Sequence, residues 1–177
     1  MATYALIHGA GDVGWYWHLV EAELRNRGHE AISMDLPVED DSAGLLEYAD
    51  AVVAAIGDRP NPLVVAQSFG SYVAPIVCER VAARLMVLIA GMVPAPGESA
   101  EEMLAKTGYS AESGGASEIE IFYQDVPPAL AKEAMARSRR QSDTPGRQAW
   151  PLAAWPKVPT RFLLCRNDRM FPAAWLR

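Results

Sequence analysis

The chain has 177 residues, enough for one domain with a substantial core. Half of the residues are apolar and 21% are charged, an ordinary globular balance, and 16 basic against 22 acidic side chains give a net charge of −6. That acidic balance argues against a nucleic-acid surface or a cationic membrane patch, and no apolar run approaches the ~18 residues of a membrane span.

Short apolar runs alternate with helical periodicity, the pattern of a parallel sheet wrapped by helices. A first strand, Thr3 to Ile7, ends in the glycine-rich turn His8-Gly9-Ala10-Gly11. A helix over Trp15 to Arg27 is closed by Gly28. The second strand is predicted over Glu30 to Leu36, stopping at Pro37. Glu39-Asp40-Asp41-Ser42 then offers N-caps for a helix whose apolar stripe is Leu45, Ala49, Val52 and Ile56. Pro60-Asn61-Pro62 turns into the third strand, Leu63 to Ala66, and Gln67-Ser68-Phe69-Gly70 turns into a helix carrying Val73, Ile76, Val77 and Val81. The fourth strand, Leu85 to Ala90, is apolar throughout, as for a strand covered on both faces.

After Pro94 the alternation stops until Thr160, and nine of the 13 prolines lie from there onward. The stretch 94–159 holds a Gly/Ser-rich loop at 113–117 and an amphipathic helix after Pro127-Pro128, and it is too short for a second core. It reads as a lid inserted into the domain. A fifth strand, Thr160 to Cys165, leads to Arg166-Asn167-Asp168. The N-terminus MATYALIHGAG lacks the marks of a signal peptide, and Cys78 and Cys165 lie in apolar runs, so buried thiols and a cytoplasmic location are expected.

Ala66-Gln67-Ser68-Phe69-Gly70 is the strongest local feature. A serine at a tight turn from buried strand to helix is held with its hydroxyl exposed, and small residues two positions either side permit the turn. The helix that follows aims its N-terminus at the serine, so the Phe69 amide is placed to stabilise an oxyanion. Ala66 stands where the G-x-S-x-G pattern has its first glycine, and that pattern taken alone is weak. The glycines at the end of the first strand let the Ala10 amide serve as a second donor. Gly9, Gly11 and Gly14 also match the dinucleotide-binding G-x-G-x-x-G, a reading set aside because that fold has no use for a serine elbow.

His8-Gly9-Ala10-Gly11 with Trp15 and Trp17, Gly28-His29, Asp35-Leu36-Pro37, the Ser68 turn and Asp168 together resemble the α/β-hydrolase superfamily. Within it, the chain is most similar to the compact branch of plant methylesterases, hydroxynitrile lyases and their bacterial relatives. The resemblance runs over nearly the whole chain. It implies one domain over 1–177 with an α/β, doubly wound, mainly parallel sheet of strand order 2-1-3-4-5, helices on both faces and the lid at about 94–159. It implies Ser68 as nucleophile, Ala10 and Phe69 as oxyanion-hole amides and Asp168 as the triad acid. Met92 under the lid and Phe122, Trp150 and Trp155 on it are the expected substrate-shaping residues.

In that family the triad histidine follows the acid by a further helix and strand. All three histidines here, His8, His18 and His29, precede the nucleophile. The expectation is therefore a C-terminally truncated member without the final strand and helix, nearly inactive as it stands. Its complete form would be a carboxylesterase for small apolar esters, with a hydroxynitrile-lyase-like activity or a non-catalytic binding module as alternatives. No cofactor or metal is expected; the expected partner is a small-molecule ester, with neither nucleic acid nor membrane. An open fifth strand makes a homodimer or edge-strand pairing the expected self-association.

Overall fold

The structure is a computed structural model that describes residues 1–107 and 117–171. Five strands, β1 Thr3–Ile7, β2 Glu30–Ser33, β3 Leu63–Gln67, β4 Leu85–Ile89 and β5 Thr160–Leu163, form one sheet. Its order is β2-β1-β3-β4-β5 and every pairing is parallel, as the resemblance implies. The helices are α1 His18–Asn26, α2 Leu45–Ile56, α3 Gly70–Arg80, α4 Ala100–Thr107, α5 Glu118–Phe122, α6 Pro128–Arg137 and α7 Thr144–Arg147. The last four all lie between β4 and β5.

Strand alternation divides the core in two. Ala5 and Ile7 of β1, Val64 and Ala66 of β3, and Met86 and Leu88 of β4 join the buried faces of α2 and α3 in the larger cluster. The α2 stripe Leu45, Ala49, Val52 and Ile56 is buried there as its spacing requires. Leu6, Ala31, Val65 and Trp17 form a smaller cluster on the other face, with Leu24 of α1 packed against it. The strand ends therefore carry their turns to one edge of the sheet, where a ligand site in an open α/β fold belongs.

Several boundaries differ from the sequence expectation for physical reasons. β2 ends at Ser33 because Met34 and Asp35 bend against Gly14: a Cβ on Gly14 would lie 3.1 Å from the Met34 backbone, and the Gly14 N–H donates to Asp35 Oδ1 at 2.7 Å. The acidic loop does not cap α2. Asp40 Oδ1 instead accepts from the Ser42 N–H and hydroxyl within its own turn, while Glu47 takes the Gly44 N–H and Gln148 the Leu45 N–H. β4 buries Met86 and Leu88 fully but Leu85, Val87 and Ile89 only in part. Against the expectation of buried thiols, Cys78 is half-buried and Cys165, just after β5, is exposed. α4 and α5 each begin with a reciprocal box, Ser99 with Glu102 and Ser117 with Glu120. The Gly/Ser-rich stretch, apart from Ser117, and residues 172–177 lie outside the described residues. No helix among the described residues is long and apolar enough to cross a membrane.

Candidate active site

The turn from β3 into α3 is tight, and its sequence permits it. Ser68 has φ of 49°, a left-handed conformation that costs a non-glycine residue about 1–2 kcal/mol. Its N–H donates to Ile89 O at 3.0 Å and its carbonyl accepts from the Ser71 N–H at 3.0 Å, so both neighbouring elements hold it. Gly70 has no substitute, since a Cβ there would stand 2.6 Å from His8 O and 3.0 Å from Ile7 O. Ala66 is fully buried between Ile7 and Leu88, a place where one methyl group fits. Among the described residues, no protein group bonds the Ser68 hydroxyl, and the Ala10 and Phe69 amides donate to no protein acceptor.

The turn after β1 is clamped from both sides. His8 is 1% exposed; its Nε2 accepts from the Leu36 N–H at 3.0 Å and its Nδ1 faces Gly9 O at 2.8 Å. A carbonyl only accepts, so the proton lies on Nδ1 and the ring is neutral, and burial lowers its pKa further. His8 is thus a brace between β1 and the loop after β2. From the far side, Gly11 N–H donates to Gln141 Oε1 at 3.0 Å, while Gly11 O accepts from the Arg139 N–H at 2.7 Å and the Ser138 hydroxyl at 3.2 Å.

Above these turns lies a cavity of about 430 Å³. Gly9, Ala10, Gln67 and Ser68 form part of its floor, and Trp15, Tyr16, Phe122 and Tyr123 give it aromatic walls. A Cβ on Gly9 would stand 3.0 Å from Asp12 Oδ2 and 3.3 Å from Ser68 Cβ and would overlap Gln67 Oε1, so three side chains converge on that glycine. Asp12 was not singled out by its residue type or spacing. Burial, with a smaller contribution from the charge of Glu118, raises its carboxyl pKa to about 6, against the opposing pull of the Gly9 backbone. Tyr16 donates to Ala134 O at 2.9 Å, so the proton shared with Tyr123, also at 2.9 Å, is that of Tyr123.

The remaining expected site residues separate into two groups. Phe122 lines the cavity with Ser68. Met92, Trp150 and Trp155 do not line it: Met92 and Trp150 are buried in the main core, with Trp155 packed against them. The Trp150 indole donates to Tyr72 O at 3.1 Å and its ring lies 5.8 Å from that of Trp155. Asp168 follows β5, and its Oδ1 accepts from the Met170 and Phe171 N–H groups at 2.9 and 2.8 Å. Its neighbour Met170 lines the cavity, and Asp168 itself does not. His18 stacks on Trp15 at 4.2 Å and bonds Trp15 O, while His29 packs near Tyr4. The described residues hold no group of three or more His, Cys, Asp or Glu placed for a metal ion.

Known proteins match the fold and, over a short segment, the sequence. An extracellular alpha/beta-hydrolase from a Paenibacillus species superimposes with a TM-score of 0.79 at 19% identity, covering 97% of this chain and 81% of its own. A methylesterase from Arabidopsis gives 0.79 at 14% identity, with 99% and 83% covered, and polyneuridine aldehyde esterase gives 0.77 at 16% identity, with 99% and 84% covered. In sequence, Methylesterase 18 of Arabidopsis thaliana is 33% identical over 60 residues. That segment is 34% of this chain and spans only 21% of the relative's length. The model of the alpha/beta hydrolase family matches residues 5–177, and the chain belongs to that family.

Proposed function

We propose that the chain carries the nucleophilic half of a carboxylic ester hydrolase, with Ser68 attacking the carbonyl of a small, largely apolar ester. The observation that carries this reading is the strained Ser68 at the floor of an aromatic cavity, with no protein partner for its hydroxyl among the described residues. As Ser68 Oγ bonds to the ester carbonyl carbon, its proton passes to an imidazole supplied from solution, which returns it to the departing alcohol, and the carbonyl oxygen becomes an oxyanion that the Ala10 and Phe69 amides would receive. Collapse of that adduct expels the alcohol and leaves an acyl group on Ser68, which water then removes. The Asp168 carboxylate, held through Oδ1 by two backbone amides, has Oδ2 left to orient an imidazole. Residues 94–159 serve as the lid of one domain, contributing Phe122 and Tyr123 to the cavity wall.

None of the three histidines takes the role of base. His8 has both ring nitrogens committed to backbone, His18 is stacked on Trp15 and bonds its carbonyl, and His29 precedes β2 at the other end of the sheet. Loss of a triad base lowers kcat by roughly 10⁴–10⁶. A polypeptide of these 177 residues is thus expected to hydrolyse esters slowly, at a rate that free imidazole raises. The test is hydrolysis of p-nitrophenyl acetate by the wild type and by Ser68→Ala in rising imidazole. The wild-type excess over S68A grows with imidazole on this reading; equal rates at every concentration would overturn it.

A further inference from the structure

The Ser68 cavity holds a carboxyl group that the esterase chemistry does not use. Asp12 is half-buried in its wall, and among the described residues no Lys, Arg or side-chain donor pairs with it. Glu118 lines the same cavity. The Tyr123 hydroxyl spends its one proton on Tyr16, which spends its own on Ala134 O, so Tyr123 offers the cavity only an acceptor. The nearby cations are engaged elsewhere: Arg137 lies 4.4 Å over the Trp15 ring and pairs with Glu133, and Arg139 pairs with Glu39.

A partly open cavity with aromatic faces and acceptors, and no Lys or Arg in its described lining, has a definite complement. Indole and phenol faces attract cations, and a partly desolvated carboxylate binds an ammonium far better than it does in water. A carboxylate ligand would meet Asp12 and Glu118 with no Lys or Arg in the described lining to offset the repulsion, only the neutral amides of the serine turn. We propose that Asp12 is the specificity-determining residue of this cavity, and that the ester it selects carries an ammonium group on its apolar body. The inference rests on Ser68 as the reacting residue, because the convergence of Asp12 and Ser68 on Gly9 places the selected group beside the ester.

Three probes of one size separate the possibilities: benzylammonium, benzyl alcohol and benzoate, titrated calorimetrically into the 177-residue protein. At pH 8, benzylammonium is expected to bind roughly tenfold or more tighter than benzyl alcohol, as one desolvated charge pair provides, with benzoate weakest. The preference should fade as pH falls through about 6, where the Asp12 carboxyl takes up its proton. The other titratable groups facing it are Glu118, Tyr16 and Tyr123, with His18 further along the wall and His8 beneath. Asp12→Asn isolates the Asp12 share by removing the preference at pH 8 and its pH dependence.

Ser68→Ala should keep the preference, which divides this inference from the esterase reading. Selectivity for benzylammonium without Ser68-dependent hydrolysis would sink the esterase reading alone. Equal binding of benzylammonium and benzoate, or binding of neither, would overturn the role of Asp12 whatever the hydrolysis result. Should D12N fail to fold, the wild-type pH series decides: a benzylammonium preference unchanged between pH 8 and pH 5 contradicts the proposal.

Discussion

Ser68 and Asp12 both cost the fold free energy, and in opposite chemical ways. Ser68 carries backbone strain of about 1–2 kcal/mol that the close approach of Gly70 to His8 O enforces. Asp12 carries an electrostatic cost, since its pKa of about 6 in the fold compares with 3.8 for the free group. The folded protein therefore binds the Asp12 proton more tightly, and this residue's share of stability is present at low pH and falls as pH rises from about 4 to about 6. His8 works the other way: its depressed pKa means the unfolded chain binds more protons below pH 6.5, so its share falls as pH drops through that value. Asp12→Asn removes only the first effect. Urea unfolding across pH should show D12N matching wild type near pH 4 and exceeding it by about 2–3 kcal/mol above pH 7, at ~1.4 kcal/mol per pKa unit. A constant difference across that range would mean Asp12 does not titrate as described.

Among the elements, the segment 138–141 between α6 and α7 matters most to the site. It clamps both backbone groups of Gly11 and, through the Gln141 amide donating to Tyr48 at 3.0 Å, ties the turn after β1 to the buried face of α2. Gln141→Ala leaves the Gly11 N–H and the Tyr48 hydroxyl short of a partner. It should cost about 1–2 kcal/mol in urea unfolding and lower the Ser68-dependent rate more than it changes substrate affinity, because the Ala10 amide loses its fixed position. The strands, the α2 stripe and the serine turn were legible in the sequence because each is a local pattern of apolar spacing and small residues. Asp12 and Gln141 were not, because their roles exist only once residues more than a hundred positions downstream fold back over β1. Trp150 misled for the same reason: a lid-region tryptophan suggests a ligand, whereas its indole is spent on Tyr72 in the core.

The assembled sheet exposes one contrast that no single element shows. Its β2 side is covered by α1 and its centre by α2 and α3, whereas β5 is the last strand on the other side among the described residues, with Leu163 51% exposed. The order of strands brings the ends of β1 and β3 together, so the Ala10 turn and the Ser68 turn meet over one cavity although 58 positions separate them. All three histidines precede residue 30, and each ring is engaged away from the serine turn, His8 with Leu36 and Gly9, His18 with Trp15 and His29 with Tyr4. The central claim, that Ser68 is the nucleophile, is tested most directly by trapping its acyl adduct. The protein is incubated with p-nitrophenyl acetate and imidazole, quenched in acid and digested, and the acetylated peptide is sequenced by mass spectrometry. The account predicts an acetyl group on Ser68 that D12N retains and S68A lacks; acetylation confined to other residues, with Ser68 unmodified, would contradict it.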